Sequence, residues 1–385
     1  MRRHPRSSLL KEKKERSDWL SETIAFELSE QHFGIFYPYL MQDSVTDIDY
    51  NGRNIWITDL EKGRYQAPET VGERFVTQFT HDIANGMNRP FNQANQVLEA
   101  DTKELRISIV HESAALSGTS ICIRKSPAVV RNTVDELLQS GYMSLPVLSL
   151  LANCVRAKMN FVFGGTPGVG KTECAKFFMQ FIPPNERVIT IEDSLELHYG
   201  EIHPGSDYVE LRVGGNFGYT EAIKACLRQN PQWLMLSEAR STEVRFLLEQ
   251  WSTGVNGFST IHVRDLRELP DRLLNMMGGA GDAVRMENRI YEFVNIGILI
   301  RCIRTKEGRL FRYIDQVCFF TREEEENRIY WLVEDGKLVR RELPAEVQKQ
   351  LHRAGIEDPF VCGELDRIKR EVERDIDKRE KNTCN

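Results

Sequence analysis

The stretch Gly165-Thr166-Pro167-Gly168-Val169-Gly170-Lys171-Thr172 constrains this chain more than any other. It fits G-x-x-x-x-G-K-[ST], the phosphate-binding loop of nucleotide triphosphatases. Before it, Met159 to Phe163 is short, apolar and aromatic, and reads as a buried strand. After it, Glu173 to Ile182 reads as a helix that Pro183-Pro184 ends. Strand, glycine loop and helix are the context the motif needs. The glycines let backbone N–H groups curl around a β-phosphate, and the helix N-terminus adds its positive dipole end. Lys171 is expected to reach the β- and γ-phosphates, and the Thr172 hydroxyl to hold Mg²⁺. The implied ligand is a nucleoside triphosphate.

With 385 residues there is chain for two or three domains, each with its own core. A net charge of −6 speaks against a general nucleic-acid binder. The eight cysteines are scattered without a C-x-x-C pair, which disfavours metal sites and disulfide frameworks and suits a reducing cytoplasm. No apolar run approaches the ~20 residues that span a bilayer, and the basic N-terminus has no apolar stretch behind it to make a signal peptide. A cytoplasmic protein is expected, with room for attachment to a membrane complex.

In chain order, residues 1–18 form a basic tail, read either as a solvated, flexible segment or as an arm for acidic lipid or a membrane partner. Residues 19–128 read as an α+β domain: a helical start from Leu20 to Gln31, then apolar–polar alternation on either side of the turn Asn51-Gly52, the strongest short hairpin signal. A helix from Arg74 to Met87 and strands Leu105–Val110 and Thr119–Arg124 follow. Arg106 and Arg124 lie within those strands, where a solvated face is the ordinary fate of an arginine. Residues 129–146, with a helix from Val134 to Gly141 between the turn chemistry of Ser126-Pro127 and Ser144-Leu145-Pro146, read as a linker. Residues 147–322 alternate strand and helix as an α/β nucleotide-binding domain does. Residues 323–385 read as a C-terminal extension, with a small hairpin around Asp335-Gly336, a helix from Pro344 to Arg353 and a charged final helix.

A phosphate loop alone hydrolyses nothing, because a divalent cation must be held and a water oriented. Carboxylates are therefore expected at the carboxyl ends of neighbouring strands. Ile189-Thr190-Ile191-Glu192-Asp193 and Trp233-Leu234-Met235-Leu236-Ser237-Glu238 both end that way. One such acid often does no more than cap the next helix; two after a phosphate loop make Glu192 and Glu238 candidate catalytic groups. A third apolar strand, Gly257 to Ile261, ends in His262, either a structural histidine or one that meets the γ-phosphate. No Asn-Lys-x-Asp guanine-reading element follows the loop.

Taken together, these elements resemble the secretion ATPase superfamily, which serves type II and type IV secretion, type IV pili and conjugation machines. Four signatures match in order: the loop Gly165–Thr172, an aspartate box at Thr190–Leu197, a second acidic box from Leu227 through Arg240, and a histidine box from Thr253 through His262. The Asn51-Gly52 turn and the strands with Arg106 and Arg124 resemble the family's N-terminal domain. The resemblance implies an N-terminal α+β (PAS-like) domain followed by a RecA-like P-loop ATPase domain. It implies Glu192 as the carboxylate that polarises the attacking water, Glu238 as the acid near Mg²⁺, and His262 near the γ-phosphate. Arg106 and Arg124 become arginines brought to the phosphates as the N-terminal domain closes. ATP, Mg²⁺, a homo-hexamer, and an inner-membrane secretion or conjugation complex as partner are implied with them, as is a cytoplasmic place on that membrane. Sequence-specific nucleic-acid binding is not.

The chain departs from the family pattern at Pro231-Gln232, where Pro-Asp is usual, at Ser237-Glu238 for Gly-Glu, at Ser241 for an aspartate, and at Val255-Asn256 where a first histidine is usual. These changes leave the loop and both glutamates in place and point to a divergent branch of the conjugation or effector-export kind. A hexameric helicase-type translocase is the rival, and would need a basic, aromatic-lined channel. A scaffold that binds nucleotide and turns it over very slowly is a third reading.

Overall fold

The computed structural model describes residues 29–278, 282–306 and 309–370. The basic tail, most of the first expected helix and the end of the charged C-terminal helix lie outside the described residues. Two compact units are present, one of residues up to 127 with 304–310, the other of residues 128–303 with 311 onward.

The first unit is a six-stranded antiparallel sheet. Strands β1 (Val45–Tyr50) and β2 (Asn54–Asp59) flank the expected turn, where Asn51 Oδ1 accepts from the amides of Arg53 and Asn54 at 3.1 and 2.8 Å. Next come β3 (Gly63–Thr70), helix α1 (Glu73–Gly86), β4 (Val97–Asp101), β5 (Leu105–Val110) and β6 (Ser120–Lys125), in the sheet order β3-β2-β1-β6-β5-β4. Period-two alternation sends Ile48, Ile57, Ile107, Ile109, Ile121 and Ile123 to one face, where they bury with Phe79 and Ile83 of α1 and with Phe33 and Phe36. Each fully buried side chain of this size contributes about 1.5–3 kcal/mol. On the other face, register pairs Asp47 with Arg124, Arg124 with Arg106, and Arg106 with Asp101, a polar row across four strands.

The second unit begins with helices α2 (Val134–Gln139) and α3 (Leu145–Arg156). Residues 129–146 are therefore not a free linker. Thr133 and Glu136 close a capping box on α2, and Val134, Leu137, Tyr142 and Met143 are buried in the core of this unit. The chain continues as β7 (Phe161–Gly164), α4 (Lys171–Met179), β8 (Val188–Glu192), β9 (Tyr208–Arg212), α5 (Tyr219–Cys226), β10 (Trp233–Leu236), α6 (Glu243–Ser252) and β11 (Asn256–Ile261). Helices α7 (Leu269–Met277) and α8 (Ala283–Phe293) precede β12 (Ile296–Arg304), β13 (Leu310–Glu323), β14 (Glu326–Glu334), β15 (Lys337–Leu338) and α9 (Ala345–Arg353).

Six strands run parallel in the order β9-β8-β10-β11-β7-β12. Strands β13, β14 and β15 continue the same sheet beyond β12, so the residues expected to open a separate C-terminal hairpin at 323 instead extend the main sheet. Buried helices cover both faces, which is why β7, β8 and β10 are buried throughout, without alternation. Asn160 registers the amino ends of the strands: Nδ2 donates to Phe293 O at 2.8 Å, and Oδ1 accepts from the Gly257 amide at 2.9 Å. With the amino ends pinned, the carboxyl ends of β7, β8, β10 and β11 come level at the opposite edge, where open α/β sheets place their ligands.

Candidate functional site

The loop that leaves β7 has the backbone its glycines predict. Gly165 has φ +149°, and a Cβ there would meet Ile300 O at 2.7 Å. Gly170, at φ +94°, is the residue before the first turn of α4. Val169 between them is buried and anchors the loop in the core. Thr166 and Pro167 line a cleft of about 700 Å³ together with His262, Val263, Arg264, Glu268, Asp271, Arg272 and Asn275, a size suited to a small-molecule site.

Lys171 is only 8% exposed. Its Nζ donates to the carbonyls of Gly165 and Thr166 at 3.3 and 3.2 Å and lies 3.1 Å from His262 Nδ1. An ammonium group has no lone pair, so that contact is made with Nδ1 accepting and the ring hydrogen on Nε2. His262 Nε2 is 2.9 Å from Glu238 Oε1. Arg240 then donates to Glu238 Oε2 through Nε and Nη2, at 2.9 and 2.8 Å, and to Asp193 Oδ2 through Nη1 at 2.5 Å. The phosphate-loop lysine, the histidine tip of β11 and the acidic tips of β10 and β8 thus form one continuous polar chain.

Glu192 occupies a different place. It is 3% exposed, and its Oε2 accepts from the backbone amides of Glu196 and Leu197, each at 2.9 Å. Oε1 is buried with no partner among the described residues. Burial pushes its carboxyl up to about 8, against the two amides, which favour the ionised form. The turn held this way brings Glu196 to the loop, where the Thr172 hydroxyl donates to Glu196 Oε2 at 3.2 Å. Hydroxyl and carboxylate oxygens make a hard donor set that suits Mg²⁺.

Lys171, His262 and Glu238 are therefore brought together, with Thr172 beside them on α4. Arg106 and Arg124 belong to the first unit, side by side in register on β5 and β6, and Arg124 Nε donates to Asp47 Oδ1 at 2.8 Å. Glu196, Arg240 and Glu243 were not singled out from the sequence. The first two lie inside the acidic boxes. Glu243, buried at the start of α6, accepts the Arg240 and Ser241 amides on Oε1 at 2.7 Å each.

The model of a family described as type II/IV secretion system protein matches residues 83–329, more than half of the chain. A Bacillus anthracis protein of uncharacterised function is 25% identical over 321 residues, 80% of this chain and 72% of its own length. The type IV secretion system protein VirB11 of Bartonella quintana is 28% identical over 186 residues, 46% of this chain and 51% of its own length. Among solved structures, the Yersinia pseudotuberculosis ATPase DotB superposes with a TM-score of 0.58 at 13% identity, over 93% of this chain and 88% of that one, a likeness of fold. The matched residues take in the phosphate loop and every strand tip described above, and the chain belongs to the type II/IV secretion system protein family, within the secretion ATPase superfamily.

Proposed function

We propose that this protein is a Mg²⁺-dependent ATP hydrolase that assembles as a homo-hexamer and powers a type IV secretion, conjugation or related pilus machine. The observation that carries the reading is the chain from Lys171 through His262 to Glu238 at the edge of the sheet where a nucleotide binds. In this reading Gly165 to Thr172 cradle the phosphates, and Thr172 and Glu238 would hold Mg²⁺, with Glu196 beside the Thr172 hydroxyl; the cation would neutralise phosphate charge. Lys171 leaves its own loop carbonyls for the β- and γ-phosphates, and His262 follows that change. Glu192 is the proposed water-polarising group, supported by the orphaned Oε1 and by a carboxyl poised near operating pH. Arg106 and Arg124 are proposed to reach the phosphates from the first unit.

A RecA-like assignment of the second unit is supported by the parallel order in which β11 separates the loop strand β7 from the acidic strands. A PAS-like assignment of the first rests on its six-stranded antiparallel sheet with one long helix. The relatives' names, a type IV secretion protein and an ATPase, support the secretion role. No helix among the described residues is long and apolar enough to cross a membrane. A place at the cytoplasmic face of the inner membrane, through other components of the complex, is proposed by analogy with the family. ATP turnover and mass in solution, with and without nucleotide and single-stranded DNA, test the whole reading. A hexamer whose turnover ignores DNA supports the secretion motor; DNA-stimulated turnover would replace it with a translocase.

A further inference from the structure

Asp193 and Glu238 follow the tips of adjacent parallel strands, β8 and β10, whose register pairs Ile191 with Leu236. Two carboxylates placed side by side repel, and the Arg240 guanidinium bridges them. Its fork spans both acids, with Nη1 on Asp193 Oδ2 and with Nε and Nη2 on Glu238 Oε2. His262 Nε2 meets the other Glu238 oxygen, so this carboxylate is held from two sides and its rotation is fixed. The backbone beneath is equally constrained. Glu243 Oε1 accepts the Arg240 and Ser241 amides, the Ala239 amide donates to Thr260 O at 2.8 Å, and Thr260 Oγ1 donates to Ser237 O at 2.7 Å. A loop tied at these points aims the Arg240 side chain at the acidic pair.

We infer that Arg240 is a positioning residue and a built-in counter-cation: it orients Glu238 against His262 and offsets the negative charge of Asp193 and Glu238, the second of which would also hold Mg²⁺. The inference rests on the reading of this edge as a Mg²⁺–nucleotide site. Two consequences follow with opposite signs. Without the guanidinium the pair is more negative and attracts the divalent cation more strongly. Without the fork Glu238 turns freely and turnover slows. Simple loss of packing would not tighten the response to Mg²⁺.

The test uses the full chain, native, Arg240→Gln and Arg240→Lys, with a fluorescent N-methylanthraniloyl ATP analogue titrated with Mg²⁺ alongside steady-state ATP turnover. For Arg240→Gln the half-saturating Mg²⁺ for nucleotide binding should fall by at least about threefold, while kcat falls by at least about tenfold at a KM within about twofold of native. Arg240→Lys keeps the charge and loses the fork. Its Mg²⁺ response should stay within about twofold of native, with kcat still several-fold lower. An Arg240→Gln chain with an unchanged or higher Mg²⁺ requirement overturns the inference, as does native kcat in Arg240→Lys. If Arg240→Gln does not fold, the lysine variant decides alone by the same criteria. A native chain that binds the analogue with Mg²⁺ yet hydrolyses nothing would sink the ATPase reading, and the Mg²⁺ titration would still decide the role of Arg240.

Discussion

Lys171 Nζ lies 3.1 Å from His262 Nδ1, so the loop lysine and the β11 histidine share one hydrogen bond. Phosphate oxygens that draw the lysine away must break it, which makes His262, and through it Glu238, responsive to the loop's occupancy. His262→Ala should therefore lower ATP turnover by on the order of tenfold to a hundredfold and change nucleotide affinity by less than about threefold. Steady-state kinetics with equilibrium nucleotide binding checks this. Affinity lost in proportion to turnover would make His262 a purely structural residue.

Glu192 carries a second prediction with a pH signature. Its carboxyl ordinarily titrates at 4.5 and is pushed up to about 8 by burial. Between those values the unfolded chain has released the proton while the folded chain retains it. The stability that comes from keeping the group neutral is complete below about 4.5 and is lost as pH rises toward 8. Glu192→Gln cannot ionise, so its stability relative to the native chain should rise across this window by on the order of a few kcal/mol. Urea unfolding at the two ends of the window measures it, and parallel stabilities would contradict it. The same variant should keep nucleotide binding and stop turnover, as a missing water-polarising group would.

Asn160 carries a prediction about the scaffold. Its side chain ties the Gly257 amide and the Phe293 carbonyl together at the amino edge of the sheet, away from the phosphate loop. Asn160→Ala leaves both groups without these bonds and should cost about 2–4 kcal/mol, measured by chemical denaturation. KM for ATP should stay within about twofold of native wherever the variant is folded. A large change in KM with little change in stability would mean the amino edge is coupled to the site.

The parts of the fold that were legible from the sequence are those where local pattern and tertiary environment agree. Strands β7, β8, β10 and β11 are short and almost wholly buried because helices cover both faces of the sheet, and the phosphate loop, Glu192, Glu238 and His262 lie at or just beyond their carboxyl ends. The edge strands β3 and β4 were missed: β3 contains Pro68, has exposed residues along most of its length, and has a neighbour on one side only. Residues 129–146 looked like a linker because proline and serine flank them. Yet Thr133-Val134-Asp135-Glu136 spells a capping box, and Val134 and Leu137 show which way the helix faces.

Within the candidate site, residue types were legible and pairings were not. Lys171, Glu238 and His262 could each be assigned to a strand tip or the loop. That His262 touches the other two depends on β11 lying next to β7 and β10, which strand order alone decides. The bridge made by Arg240 depends on adjacency of the same kind, between β8 and β10. Glu192 and Glu196 lie close in sequence, and only the turn between them determines which one faces Thr172.

ATP hydrolysis by the native chain and by Lys171→Gln, with and without Mg²⁺, tests the central proposal most directly. Mg²⁺-dependent turnover by the native chain, falling to background in the variant while the fold is retained, is the predicted result. A native chain with no turnover, or a Lys171→Gln chain that hydrolyses ATP at the native rate, would contradict it.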